Sequence, residues 1–472
     1  MVTIFGLASD LKFHLHKLDT TLKLFELFTA LYNAYDKIFI LESLVGPKEL
    51  SEMSIIGFDP DLIVNCTSNR FFVYDRNNKL INKFKVNEPL SCLKKIVPII
   101  KEGRFRYVGG AVGYISYDAI RFWEHLPIKG KGKKHFPLLE FGIYTDGLLY
   151  DHAKNQAYYF YIGDKCRLQA LEEIARRTQI NNTPPFSYSI PKSNLSRSQF
   201  TRIVKRSKKY IRDGDVFQVV LSKKMKFNVK GNLLSVYKCL REINPSPYMY
   251  LLKVAERCII GSSPEMLLRI TKDYVETFPI AGTRPIVEDE KRNEEFRVDL
   301  LNDEKEIAEH TMLVDLSRND LGRICKYGTV RVPDCMTVKR FSHVQHIVSH
   351  VTGYLQNNND SYDAFRSVFP AGTVSGAPKV RAMEIIDELE PELREAYAGA
   401  VGYFSFNGSC DFAITIRSLF INKGEAYLQS GAGIVMDSDP QKEWIETKHK
   451  ADAILSSLKK SSREDKTDRH IS

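Results

Sequence analysis

Two acidic segments in the C-terminal half have the spacing of a shared divalent-cation site. In residues 303–320 (DEKEIAEHTMLVDLSRND), Ile307, Met312, Leu313 and Leu316 follow a helical period, so Glu306 and Glu309 share one face, with His310 a turn beyond Glu306. Like charges so placed repel, and something positive should stand against them. Alone, this pair reads equally as a solvated acidic face. The second segment repeats the arrangement: Glu443 and Glu446 lie on a helix packed through Trp444, Ile445, Ala451 and Ile454, with Lys450 one turn beyond Glu446. Oxygen donors beside water suit Mg2+, which binds partly through its substrate. The absence of paired cysteines argues against zinc.

Groups able to receive an anion lie around these segments. Residues 429–435 (QSGAGIV) read as a Gly-rich turn offering backbone N–H groups through Gly431 and Gly433. Residues 369–383 (FPAGTVSGAPKVRAM) read as a turn entering a helix, with hydroxyls on Thr373 and Ser375 and cations at Lys379 and Arg381. The Walker order is missing, which removes the nucleotide reading and leaves an anion-binding turn. Arg417 reads as a strand arginine flanked by apolar residues, in need of an anionic partner. Residues 279–285 (PIAGTRP) form another Gly-centred turn, with Gly282 and Thr283. Gln218, Glu265 and His346 stand as polar residues in apolar surroundings, where a satisfied core position is the ordinary reading.

The elements that must position these groups are mixed. Residues 37–41, 61–65, 71–74 and 158–162 are short strand-type runs bounded by turn formers. Residues 178–195, with Asn-Asn, Pro-Pro and several serines, read as a linker, after which Ser196 and Gln199 form a capping box for a helix. The organisation is therefore 1–177, a linker at 178–195, a main region at 196–458 and a disordered tail at 459–472, where apolar anchors run out. One echo links the halves: GAVGY at 110–114 recurs at 399–403, as in a duplicated architecture.

Bulk properties exclude several classes. The net charge is +10, and basic residues cluster at 129–134 and between Arg202 and Arg212, but no nucleic-acid-binding signature accompanies them, so no nucleic-acid partner is expected. No apolar run is long enough to span a bilayer, and the N-terminus lacks the order of a secretory signal, so a cytoplasmic protein without a membrane partner is expected. The eight cysteines are scattered singly, and none sits in a Gly-x-Cys-x-Gly turn that would expose a nucleophile.

Residues 213–222 (DGDVFQVVLS), 244–248 (NPSPY), 263–267 (SPEML), 279–285, 303–320, 372–379 (GTVSGAPK) and 431–450 together resemble, in order, the chorismate-utilising enzymes. The resemblance is dense over 196–458 and looser before. It implies an α+β fold, a four-layer α/β/β/α core with two orthogonally packed antiparallel sheets and internal repeats. It implies Mg2+ as cofactor, with Glu309 and Glu446 as metal ligands and Glu306 and Glu443 orienting water. Arg417, Thr373, Tyr397 and the backbone around Gly431 and Gly433 would receive the enolpyruvyl carboxylate of chorismate, with Gly282, Thr283 and Lys450 also lining the substrate. Glu265 is the implied general acid for loss of the C4 hydroxyl, and His346 takes part in eliminating pyruvate.

Within the family, relatives that add water carry a lysine where this chain has Gln218. Relatives that use a covalent lysine carry it where this chain has Ala281. The pair implies ammonia as nucleophile and anthranilate plus pyruvate as products. The alternatives are 4-amino-4-deoxychorismate as product or, in another class, a non-catalytic anion or nucleic-acid binder. Glu42 and Ser43, with Asn244, Pro245, Pro247, Tyr248 and Met249, resemble the two halves of the family's L-tryptophan inhibitory site. With no glutaminase nucleophile in the sequence, a separate glutamine amidotransferase subunit is implied, in a heterodimer or heterotetramer.

Overall fold

Strands Gly110–Ile115 and Leu139–Tyr144 are buried at every position, which explains why the first shows no alternation of apolar and polar residues. The computed structural model describes residues 11–18, 20, 22–45, 53–127, 135–176, 184–341 and 344–467, with side chains to 463. It arranges the strands in two antiparallel sheets, of thirteen and twelve strands among the described residues. The first runs from Phe13–Lys17 through Lys37–Glu42 and Tyr248–Val254 to Glu425–Ile434 and Gln218–Lys230. The second runs from Ile280–Pro285 through Ala400–Ser405 and Gly110–Ile115 to Leu80–Lys85.

Each sheet has a seam where the two halves of the chain meet. Glu42 pairs with Met249 in the first sheet, and Gly113 with Gly402 in the second. The two copies of GAVGY are therefore neighbouring central strands. Their glycines are required by close approach: a Cβ on Gly113 would stand 2.0 Å from the Glu140 carbonyl oxygen, and one on Gly402 2.0 Å from that of Asp411. The symmetry extends to the flanking strands, where Arg257 pairs with buried Glu140 and Arg269 with Asp411.

Helices cover both outer faces. Arg197–Arg212, Leu233–Ile243 and Pro440–Thr467 pack on the first sheet through separate apolar clusters, and Glu304–Gly322 contacts the strands Ile280–Pro285 and Val344–Tyr354 of the second. The main core lies between the sheets. Ser196 forms the capping box with Gln199. Residues 177–183 of the linker and the basic run 129–134 lie outside the described residues. Residues 184–195 return to the first sheet as Ser187–Tyr188 and Lys192–Ser193, paired with Gln218–Lys230.

The tail expectation is corrected in part. The last helix continues through Thr467 because Leu458 and Ser461 are buried and Lys460 pairs with Glu242. Residues 468–472 lie outside the described residues. Among the described residues, no helix is long and apolar enough to cross a membrane.

Candidate active site

The helix Glu304–Gly322 starts at Asp303, whose carboxylate accepts from the backbone N–H of Lys305 and Glu306. Arg284 fixes this start from the neighbouring strand, pairing with Asp299 at 2.6 Å and Asp303 at 2.8 Å and reaching within 4.0 Å of Glu306. Ile280–Pro285 is a strand, not a turn, with a register shift between Ala281 and Arg284. Gly282 sits there at φ +66, and a Cβ on it would come 3.2 Å from Glu306 Oε2. His310 does not supply the positive charge. It is fully buried, its Nε2 meets Ser349 Oγ at 2.7 Å, and burial pulls its pKa down to about 4.

Glu309 is held from the opposite sheet. Gln218, 2% exposed at the start of its strand, donates from Nε2 to Glu309 Oε1 at 2.7 Å. A Cβ on Gly433 would stand 2.6 Å from that Nε2 and 3.7 Å from Glu309 Oε1, so a side chain here would push the Gln218 amide out of its present position. Gly431 and Gly433 lie within the strand Glu425–Ile434, opposite Ser222 and Val220, and not in a turn.

On the last helix, Glu446 pairs with Lys450 at 2.6 Å. Burial, and then the neighbouring Glu446 carboxylate, push Glu443 up to about 7 against a hydrogen bond from Ser438. Burial and the Glu309 carboxylate likewise raise Glu306. Lys305 draws both Glu306 and Glu443 down, which ties the two helices electrostatically.

These groups fit a small divalent cation. The donors are all oxygen, two carboxylates are raised by burial and like charge, and Glu443 Oε2 is buried without a hydrogen-bond partner. Among the described residues no three acidic, imidazole or thiol groups converge to enclose an ion. A bound ion would therefore lean on substrate and water, as Mg2+ does.

Arg417 is not in a strand. It occupies the bend between Cys410–Ile414 and Ser418–Asn422 at φ +51, a strained conformation for a non-glycine residue. Its guanidinium has no hydrogen bond or ion pair among the described residues, and burial lowers its pKa, with Tyr397 and Glu446 acting in the other direction. Thr373, on the short helix Gly372–Ser375, has a buried hydroxyl without a hydrogen-bond partner of full geometry. Tyr397 is buried, and a Cβ on Gly431 would stand 2.9 Å from its hydroxyl. The cations of the 369–383 segment are already taken: Lys379 pairs with Asp320 at 2.7 Å, and Arg381 with Asp215 and Glu384. They brace the segment and are not free to receive an anion.

Burial raises the Glu265 carboxyl to about 7, against the pull of Thr373 and Lys450. His346 places Nδ1 2.7 Å from the Gly282 carbonyl oxygen and 3.1 Å from Thr283 Oγ1. A carbonyl only accepts, so Nδ1 carries the proton and Nε2 is the acceptor nitrogen. Burial holds the ring neutral, with a pKa of about 4. Lys450 acts on both Glu265 and His346, which brings the last helix to the same site. Ala281 is buried opposite Ile347. Sequence reasoning missed Lys305 and Ser438, whose effects on the carboxylates reach across from other segments.

A second cavity lies at the seam between the halves. Glu42, Ser43, Pro247, Tyr248 and Met249 line it with Arg106 and Arg269. Glu42 is fixed by Arg241 at 2.6 Å and by Tyr237, so its carboxylate braces the strand end. Ser43 Oγ is buried without a partner. Asn244 donates to Ser262 Oγ and is not among the lining residues, nor is Pro245.

The family model for chorismate binding enzymes matches residues 37–456. The chain is 45% identical over 434 residues to anthranilate synthase component 1 of Methanothermobacter thermautotrophicus, covering 92% of each chain. It is 39% identical to the Bacillus subtilis protein of the same description, covering 92% of this chain and 90% of that one. Among solved structures, anthranilate synthase component I from Streptococcus pneumoniae superposes with a TM-score of 0.74 at 34% identity, over 87% of this chain and 94% of that one. The menaquinone-specific isochorismate synthase of Escherichia coli shares the fold, with a TM-score of 0.72 at 19% identity and 95% of each chain covered.

Proposed function

Since this chain belongs to the chorismate-binding enzymes, alongside the anthranilate synthase component 1 proteins, we propose that it is a lyase converting chorismate and ammonia to anthranilate, pyruvate and water. The observation that carries the choice of nucleophile is the hydrogen bond from Gln218 to Glu309. An amide locked onto a carboxylate offers no base to activate water, and Ala281 offers no amine for a covalent route.

Arg417, Thr373 and Tyr397 receive the enolpyruvyl carboxylate. Mg2+ held by Glu309 and Glu446, with Glu306 and Glu443 behind them, would supply fixed positive charge at the ring carboxylate. Ammonia attacks the ring carbon beside the carboxylated one, and protonated Glu265 gives its proton to the departing C4 hydroxyl, which leaves as water. Loss of the ring proton then breaks the ring C–O bond and restores aromaticity, releasing enolpyruvate, which takes up a proton at its methylene carbon to become pyruvate. The unprotonated Nε2 of His346 takes that ring proton.

The deciding experiment mixes pure protein, chorismate, ammonium and Mg2+, and follows anthranilate fluorescence beside pyruvate release. Both products are expected; 4-amino-4-deoxychorismate without pyruvate would reassign the chain. Glutamine is expected to support turnover only when a separate glutaminase subunit is added. The isolated chain should use ammonium best at alkaline pH, where free ammonia is available. This chemistry takes place in the cytoplasm.

The seam cavity supports binding of L-tryptophan as a feedback inhibitor. Tyr248 in that cavity pairs with Ser263, and Ser263 Oγ accepts from the Glu265 N–H at 3.3 Å, so one strand pair links inhibitor to general acid. Activity titrated against tryptophan should fall, and Ser43→Ala should weaken the inhibition about tenfold through loss of one buried hydrogen bond. Tight tryptophan binding with no loss of rate would refute the coupling.

A further inference from the structure

A buried ion pair beneath the substrate site holds together three segments that the mechanism uses. Arg394 is 1% exposed and Glu390 4% exposed. The guanidinium donates to both Glu390 oxygens, at 2.6 and 3.0 Å. It also donates to the Val374 carbonyl at 2.6 Å and the Val220 carbonyl at 2.7 Å. Glu390 Oε1 in turn accepts from the backbone N–H and the hydroxyl of Ser222, both at 2.7 Å.

Each contact lies next to a proposed substrate group. Val374 follows Thr373. Val220 and Ser222 sit opposite Gly433 and Gly431 in the central strand pair. The backbone N–H of Tyr397 donates to the Arg394 carbonyl at 3.2 Å, and the guanidinium lies 5.8 Å from the Tyr397 ring. A buried arginine spending two donors on carbonyls of separate segments fixes their spacing, since loss of either bond leaves a charge or a carbonyl unsatisfied.

We propose that Arg394, with Glu390, is a positioning residue that sets the geometry of the enolpyruvyl-carboxylate seat formed by Thr373, Tyr397 and the Gly431 strand. The inference rests on the reading of Thr373 as part of that seat. Arg394 touches no substrate and acts only through the segments it joins. Lysine at this position keeps the charge but lacks the planar fork that reaches both carbonyls.

The test is a double-mutant cycle on Arg394→Lys and Thr373→Val, reading KM for chorismate, KM for Mg2+ and kcat on protein checked for folding by circular dichroism. Arg394→Lys is expected to raise KM for chorismate about tenfold with KM for Mg2+ unchanged. In the Thr373→Val background the same change should raise it less than about threefold, because the group through which it acts is gone. A merely structural role would lower kcat by reducing active protein, leave KM for chorismate alone and multiply fully in the cycle; that result overturns the proposal. A native KM in Thr373→Val alone would sink the seat reading and this inference with it. A raised KM there combined with full multiplication sinks only the inference. If Arg394→Lys does not fold, Ser222→Ala, which removes one hydroxyl bonded to Glu390, is run through the same cycle with the same criteria.

Discussion

Replacing Glu309 by glutamine is expected to cut anthranilate formation on the order of a thousandfold while leaving the fold intact. The substitution keeps the shape and an oxygen able to accept from Gln218, so the 2.7 Å contact survives and only the charge is lost. That charge is what a cation would pair with, and the position faces the strand bearing Gly433. Removing it also relieves Glu306, whose pKa is raised by burial and then by Glu309, so the metal-free variant should melt no lower than the parent. Mg2+ should raise the melting temperature of the parent through preferential binding to the folded state and should lose that effect in the variant. Glu306→Gln should cost less, about ten- to a hundredfold, which is what the proposed role of orienting water and neighbouring ligands requires. Glu309→Gln with activity within tenfold of the parent and an unchanged Mg2+ requirement would remove Glu309 from the site.

What could be read in the sequence was whatever depended on local spacing. The carboxylates at 306, 309, 443 and 446 lie on helices because their apolar neighbours recur at helical intervals, and the Ser196 capping box is set within four residues. The GAVGY echo was visible because each copy needs glycine for the same reason, close approach of a neighbouring carbonyl.

What failed depended on partners far away in sequence. Lys379 and Arg381 look like free cations until Asp320 and Asp215 arrive from other segments. The positive charge that the acidic pair calls for is not its neighbour His310, which Ser349 and the core enclose, but Arg284 from another element. Arg417 sits among apolar residues that favour a strand, yet the chain turns there through a left-handed conformation. The last helix outruns its apolar pattern where Lys460 pairs with Glu242 on the helix Leu233–Ile243. Only the Glu390 partner of Arg394 is local, four residues away; its carbonyl partners lie 20 and 174 residues away.

Glu265→Gln is expected to lower kcat by about a hundred- to ten-thousandfold and at the same time to stabilise the protein at neutral and alkaline pH. Both effects come from the same burial. A carboxyl raised from 4.5 to about 7 keeps much of its proton near neutrality and can donate it to the leaving hydroxyl, which glutamine cannot do. For stability, the folded state holds this proton more tightly than the unfolded chain. The favourable contribution is therefore fully present below about pH 4.5 and is lost as pH rises through about 7. Glutamine has no charge to bury, so the stability of the variant relative to the parent should grow across that window and level off above it, by up to about 3 kcal/mol. Chorismate brings further negative charge beside Glu265 and should push its pKa higher, so the alkaline limb of kcat should lie above that of kcat/KM. At fixed free ammonia, the parent rate should fall along that limb and the residual rate of Glu265→Gln should stay flat. A variant that keeps the falling limb, or most of the rate, would assign the proton to another group.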